Sequence, residues 1–223
     1  MKRALYIFGF VCAAGMAAAQ QPNASQVPNA SQVMERLGAK MREPVAWELK
    51  FSFSGADTQG FVLGPLSGVM YIQGNDYAML NPQAEVYVQG ATKWMYSPEI
   101  NEAIIMNHDP LSVDLTDNPF LLFSAKLSKD YSLLDKPGYY NDKGVEIIEL
   151  SLVPTAKNAA YTTILLRVNS RTFMPHSLKY LFKDGTWYEA LITACNPQKQ
   201  GYPPEHFVFN EKNHPGIFIS DLR

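Results

Sequence analysis

The chain has 223 residues, a formal net charge of −2, 12% aromatic residues and 18% charged residues, the last well under the ~25% usual for soluble domains. That length suits one all-β domain, and mild acidity without a basic stripe excludes a nucleic-acid partner as the expected one. So much apolar and aromatic area, in a chain with two cysteines, calls for a core that holds without disulfides.

Lys2 and Arg3 precede an uncharged apolar run from Ala4 to Met16, and Ala17-Ala18-Ala19 follows with the small residues a signal peptidase requires. The run is shorter than the ~20 residues needed to span a bilayer. Residues 1–19 are therefore read as a signal peptide cleaved near Ala19, residues 20–28 as a flexible leader and residues 29–223 as one domain. Cys12 lies inside the apolar run after Val11, so it does not fit a lipid-attachment site. The mature chain would hold 204 residues, 17 basic against 21 acidic, and Cys195 as its sole cysteine.

PNASQV occurs twice, at 22–27 and 28–33. The second copy can open a helix: Asn29 or Ser31 is a suitable N-cap, Val33, Leu37 and Met41 recur on one face beside Met34, and Pro44 stops the pattern. From Val45 the period changes to two. Val45, Trp47, Leu49, Phe51 and Phe53 alternate with Ala46, Glu48, Lys50 and Ser52, giving a strand with one aromatic-rich face and one wet face. Further strands are expected at 61–73, 76–80, 84–89, 92–97, 101–106, 130–135, 145–153, 161–169, 176–183, 186–194 and 206–209. Gly74-Asn75, Asn81-Pro82, Gly90 and Asp142-Lys143-Gly144 supply turns, and Asp184-Gly185 reads as a two-residue hairpin loop. Short connections make antiparallel neighbours, so a large meandering sheet follows. Asp117 or Asn118 can cap a short helix with Pro119 at its first position and Phe120-Leu121-Leu122-Phe123 along it.

The sequence offers little for covalent chemistry. His108, His176, His206 and His214 lack the spacing of a metal set, so no metal is expected. There is no nucleophile elbow, Walker loop or dinucleotide glycine pattern, and no cofactor is implied. Cys195 at a strand end before Asn196-Pro197 reads as a small buried hydrophobe. The chain is read as a non-enzyme. Two short helices are thin cover for more than ten strands, which leaves a concave, incompletely filled apolar interior.

Three segments carry a resemblance. Val86 to Glu99, VYVQGATKWMYSPE, resembles the strand–turn–strand of the outer-membrane lipoprotein carrier family, LolA. Asn118-Pro119-Phe120-Leu121-Leu122 is similar to that family's mid-chain lid helix. Phe207-Val208-Phe209 with Pro215-Gly216-Ile217-Phe218-Ile219-Ser220-Asp221 resembles its terminal segment. The resemblance implies an unclosed antiparallel β-barrel, a half-barrel whose concave side is covered by short α-helices. It implies a monomeric periplasmic carrier that takes lipoprotein acyl chains or other lipids from an inner-membrane ABC transporter to an outer-membrane acceptor. The alternative on the same fold is a lipid-sensing or protein-interaction module of the envelope-stress type. The expected cavity and lid residues are Trp47, Leu49, Phe51, Phe53, Met70, Ile72, Met79, Trp94, Tyr96, Phe120, Leu121, Phe123, Tyr180, Phe182 and Trp187. Gly74-Asn75 stands where the family has Arg-Pro, so the arginine that bonds the family's lid is replaced here.

Overall fold

The computed structural model describes residues 28–109, 131–155, 159 and 161–223. The expected signal peptide, most of the leader, and the expected helix with Phe120, Leu121 and Phe123 lie outside the described residues. Asn29 caps helix α1 (Ala30–Met41): its side chain accepts from Gln32 N at 2.9 Å, and Gln32 Oε1 accepts from Asn29 N at 3.0 Å. Two of the four orphan donors at the helix start are thereby satisfied. Val33, Met34 and Leu37 are buried on the face that meets the sheet, as their spacing predicts.

The strands are β1 (Ala46–Ala56), β2 (Val62–Gln73), β3 (Asp76–Asn81), β4 (Ala84–Gln89), β5 (Thr92–Ser97), β6 (Glu102–Asn107), β7 (Tyr131–Leu133), β8 (Gly138–Asp142), β9 (Val145–Pro154), β10 (Tyr161–Asn169), β11 (Pro175–Phe182), β12 (Trp187–Gln198) and β13 (Phe218–Asp221). All belong to one sheet in the order β13-β6-β5-β4-β3-β2-β1-β12-β11-β10-β9-β7, with β8 also on β9. The sheet does not close, so the fold is the unclosed half-barrel expected from the sequence. Its two wings, β1–β6 and β9–β12, are meanders that meet where β1 pairs β12. Two-residue turns join β2 to β3 at Gly74-Asn75 and β4 to β5 at Gly90-Ala91, with Gly74 at φ 63° and Gly90 at φ 54°.

Four details depart from the expected pattern, the first being β8 at 138–142, which no expected strand covers. Residues 206–209 are not a strand: Pro203 and Pro204 remove two backbone donors, and Pro204–Phe207 forms a 3-10 turn instead. The last strand, β13, lies at 218–221 and pairs parallel with β6, the one parallel pair among the described strands. Finally, Phe182 N donates to Thr186 O at 2.8 Å, so three residues (183–185) rather than two lie between the last hydrogen-bonded residues of the β11–β12 hairpin, with Gly185 at φ 86°.

The main core lies between α1 and one face of the sheet, where Leu37, Leu49, Leu150, Leu152, Ile164 and Leu166 are fully buried. Each such side chain contributes roughly 1.5–3 kcal/mol relative to exposure. Trp47 Nε1 donates to Met41 O at 2.8 Å, tying the helix end to β1.

Candidate functional site: the apolar inner face

Directly paired residues of antiparallel strands share a face, so the register assigns every side chain. The face under α1 is the inner one. On the β1–β6 wing, one row reads Trp47, Ile72, Tyr77, Val88, Lys93, Met106 and the next reads Leu49, Met70, Met79, Val86, Met95, Ile104. Phe51 and Phe53 continue this face along β1, opposite Gly68 and Leu66. Three methionines in one row give a lining that reshapes without fixed packing, and Met95 is 39% exposed.

On the other wing, half-buried rings and the buried Tyr161 form a continuous band. Phe53 stacks on Tyr188 at 5.8 Å, and Phe182 meets Tyr188 edge-on at 5.6 Å. Tyr161 then contacts Phe182, Tyr180 and Tyr131, at 6.2, 5.7 and 6.1 Å respectively. The hydroxyls of Tyr131 and Tyr161 hydrogen-bond each other. Rings with an apolar body and a polar tip suit the boundary between an apolar interior and water.

Nine of the residues singled out from the sequence therefore meet in one cluster: Trp47, Leu49, Phe51, Phe53, Met70, Ile72, Met79, Tyr180 and Phe182. Three do not. Trp94 and Tyr96 lie on the outer face, in a second cluster with Tyr87, Ala103, Phe209 and Ile217. Trp187 is also on the outer face, where the Lys179 ammonium sits 3.9 Å from its ring centroid. Conversely, sequence reasoning passed over Tyr188, Tyr161, Tyr131, Lys93 and His108. The two-residue turn at Gly90-Ala91 was the signal for Lys93, because it pairs Gln89 with Thr92 and so puts Lys93 beside Val88.

The outer face is not bare. The chain after β12 crosses it as a strap, with Gln73 bonded twice to Tyr202 (Tyr202 N to Oε1 at 2.7 Å, Nε2 to Tyr202 O at 3.3 Å) and Gln89 Nε2 bonded to Pro204 O at 2.8 Å. Two histidines seat it. His206 stacks on Tyr202 and meets Tyr71 edge-on, both at 4.4 Å, while His214 lies against Tyr96 and Phe209 at 4.2 and 4.8 Å. Burial holds the His206 imidazole below its ordinary pKa. Elsewhere on this face Arg167 bridges Glu149 and Glu189 at 2.8 and 2.6 Å and lies over the Tyr140 ring.

Little of this resembles a reaction centre. Burial pushes the Cys195 thiol up to about 11, far from an activated thiolate. Among the described residues no three His, Cys, Asp or Glu side chains are grouped to hold a metal. No described helix is long and apolar enough to cross a membrane.

The geometry is an open half-barrel with one apolar face under a helix. No family model matches the chain, and no curated protein matches it in sequence. Among solved structures it is similar to an uncharacterized conserved protein from Thermus thermophilus, at 9% identity and a TM-score of 0.54, covering 86% of this chain and 98% of that one. LolA superfamily proteins also stand among its structural neighbours, including one from Nitrosomonas europaea at 12% identity and a TM-score of 0.43, covering 82% and 98%. The lipoprotein LppX of Mycobacterium tuberculosis is another, at 10% identity and a TM-score of 0.44, covering 75% and 94%. At such identities the likeness is one of fold.

Proposed function

We propose that the protein is a divergent LolA-like carrier that binds the acyl chains of lipoproteins or related lipids on its inner face, without covalent catalysis. The observation that carries this reading is the convergence of nine aromatic and aliphatic residues, chosen from sequence alone, on one face of a sheet that does not close. An acyl chain in water costs about 0.8 kcal/mol per CH2, so a carrier must bury most of it. It must also release it, which favours the Met70-Met79-Met95 row and half-buried rings over an interlocked core. Residues 1–19 would direct the chain to the periplasm. Cargo would come from an inner-membrane ABC transporter and pass to an outer-membrane acceptor, with the carrier acting as a monomer. The test is native mass spectrometry of the mature protein purified from a bacterial envelope and again after delipidation and incubation with acyl lipids. Adducts of lipid mass are expected. A protein that neither carries nor accepts an acyl ligand refutes the reading, and recovery of a membrane-protein partner in place of lipid would favour a sensor.

A further inference from the structure

Burial divides the inner face into two ends. At the α1 end, where Trp47 Nε1 is bonded to Met41 O, the side chains are packed shut: Leu37, Leu49 and Met70 are fully buried. A lipid tail could lie there only by displacing the helix. Along β1 away from α1, the buried Phe51 is followed on the same face by Phe53, which is half-buried. The register sets Phe53 between Leu66 and Ala190, both half-buried as well. The next row reads Leu63, Gly55, Tyr188, Tyr180, and its three side chains are again half-buried. Closed core thus gives way to partly exposed apolar surface within roughly 7 Å of strand.

Gly55 makes this end what it is. A Cβ there would clash with the Tyr188 ring, 2.9 Å from Cε1, and would lie 2.8 Å from the Trp187 carbonyl oxygen. With no side chain at Gly55, Tyr188 takes the space over β1, where it stacks on Phe53 and meets Phe182 edge-on. These three rings form a floor across β1, β12 and β11.

The lip of the floor is apolar too. The β1–β2 hairpin runs one rung past its last strand pair, because Asp57 N donates to Phe61 O at 3.1 Å. Ala56 and Val62 pair on the outer face, so alternation turns Phe61 to the inner side, where it is 64% exposed. The β11–β12 hairpin tip stands beside it, with Gly185 against Thr58. An exposed phenyl ring next to a floor of half-buried rings is apolar surface left to water where the sheet ends.

We infer that the tail of the bound lipid lies on the Phe53–Tyr188–Phe182 floor and enters across Phe61, at the tips of the β1–β2 and β11–β12 hairpins. The head stays outside at those tips. The inference rests on the carrier reading and states which end of the inner face takes the tail. Burying apolar area drives the tail onto the rings, and the helix-covered core stays closed throughout.

The experiment is photo-crosslinking of the delipidated mature protein with palmitate bearing a diazirine near its methyl end. Adducts are mapped by peptide mass spectrometry, with excess unlabelled palmitate as competitor. Competable adducts are expected on the segments holding Phe53, Leu63, Leu66 and Tyr188, and none in α1. Phe61→Ser should bind palmitate about fivefold or more weakly. Val45→Ser, also at an exposed apolar position but beside the end of α1, should bind as wild type does. Adducts confined to α1 or to β3 and β5, a Phe61→Ser protein of wild-type affinity, or equal losses in the two variants overturns the inference while leaving the carrier reading standing. A protein with no competable adduct overturns the inference, and the carrier reading falls with it if native mass spectrometry finds no acyl adduct either. The wild-type map decides the matter if a variant does not fold.

Discussion

Gly68 allows Phe51 to lie flat on the inner face, and filling that position should cost stability that can be traced to the ring. Gly68 is paired directly with Phe51. A Cβ built on Gly68 would clash with the Phe51 ring, 2.8 Å from Cε2, and would lie 2.8 Å from the carbonyl oxygen of Leu80. The ring can swing away only by giving up its place in the core, where Phe51 is buried, and the Leu80 oxygen belongs to a sheet ladder that cannot yield. Overpacking a core costs about 1–3 kcal/mol, and with backbone as one obstacle Gly68→Ala belongs near the top of that range. For a chain of this size about 3 kcal/mol lowers the melting midpoint by roughly 6–12 °C. Phe51→Ala alone should cost about 3–5 kcal/mol by leaving a cavity. The double substitution should cost at least about 1 kcal/mol less than the sum, because the added methyl then occupies part of the space the ring left. Urea and thermal unfolding of the four proteins supply the cycle. A Gly68→Ala midpoint indistinguishable from wild type, or strict additivity in the double, would show that the ring and Gly68 do not meet as described.

Asn29→Ala removes the side-chain acceptor for Gln32 N and should cost about 0.5–2 kcal/mol, read as a lower urea midpoint. His206 has a folded-state pKa held down by burial, with the Tyr71 and Tyr202 rings against it and Glu205 beside it in the chain, so its neutral form belongs to the strapped state. That contribution is fully present above the ordinary histidine value of about 6.5 and is lost as pH falls through it. The urea midpoint of wild type should therefore drop more between pH 7.5 and pH 5.5 than that of His206→Phe; equal drops would remove His206 as the cause. Trp187→Ala, on the outer face, should leave acyl-ligand affinity unchanged, whereas Phe53→Ala, on the inner face, should weaken it severalfold in the same titration. Equal effects would show that the two faces do not divide the labour in this way.

The sequence disclosed which residues share a face within a strand more reliably than which face that is. In β1 the alternation of Trp47, Leu49, Phe51 and Phe53 with Glu48, Lys50 and Ser52 leaves no choice, because one side is plainly wet. In β5 the same rule misleads. Trp94 and Tyr96 outrank Lys93 and Met95 in hydrophobicity, yet they point outward, because the strap of Tyr202 to His214 supplies a second apolar cover there. A pattern read one strand at a time has no term for a segment that arrives more than a hundred residues later. Trp187 went astray for a narrower reason. A two-residue loop at Asp184-Gly185 would pair Phe182 with Trp187 and set both on the inner face. The observed three-residue loop pairs Tyr180 with Tyr188 and Leu181 with Trp187, and that single extra residue turns every side chain of β12 beyond it to the other side. A second irregularity, the register shift between Lys50 and Phe51, puts Cys195 and Ile192 on the same face although they are three residues apart. Face assignment in a long meander is thus a chain of parities, each fixed by a turn or a bulge. Where the turn type is legible, as at Gly74-Asn75 and Gly90-Ala91, the parity carries through and places even an improbable residue such as Lys93 on the inner face.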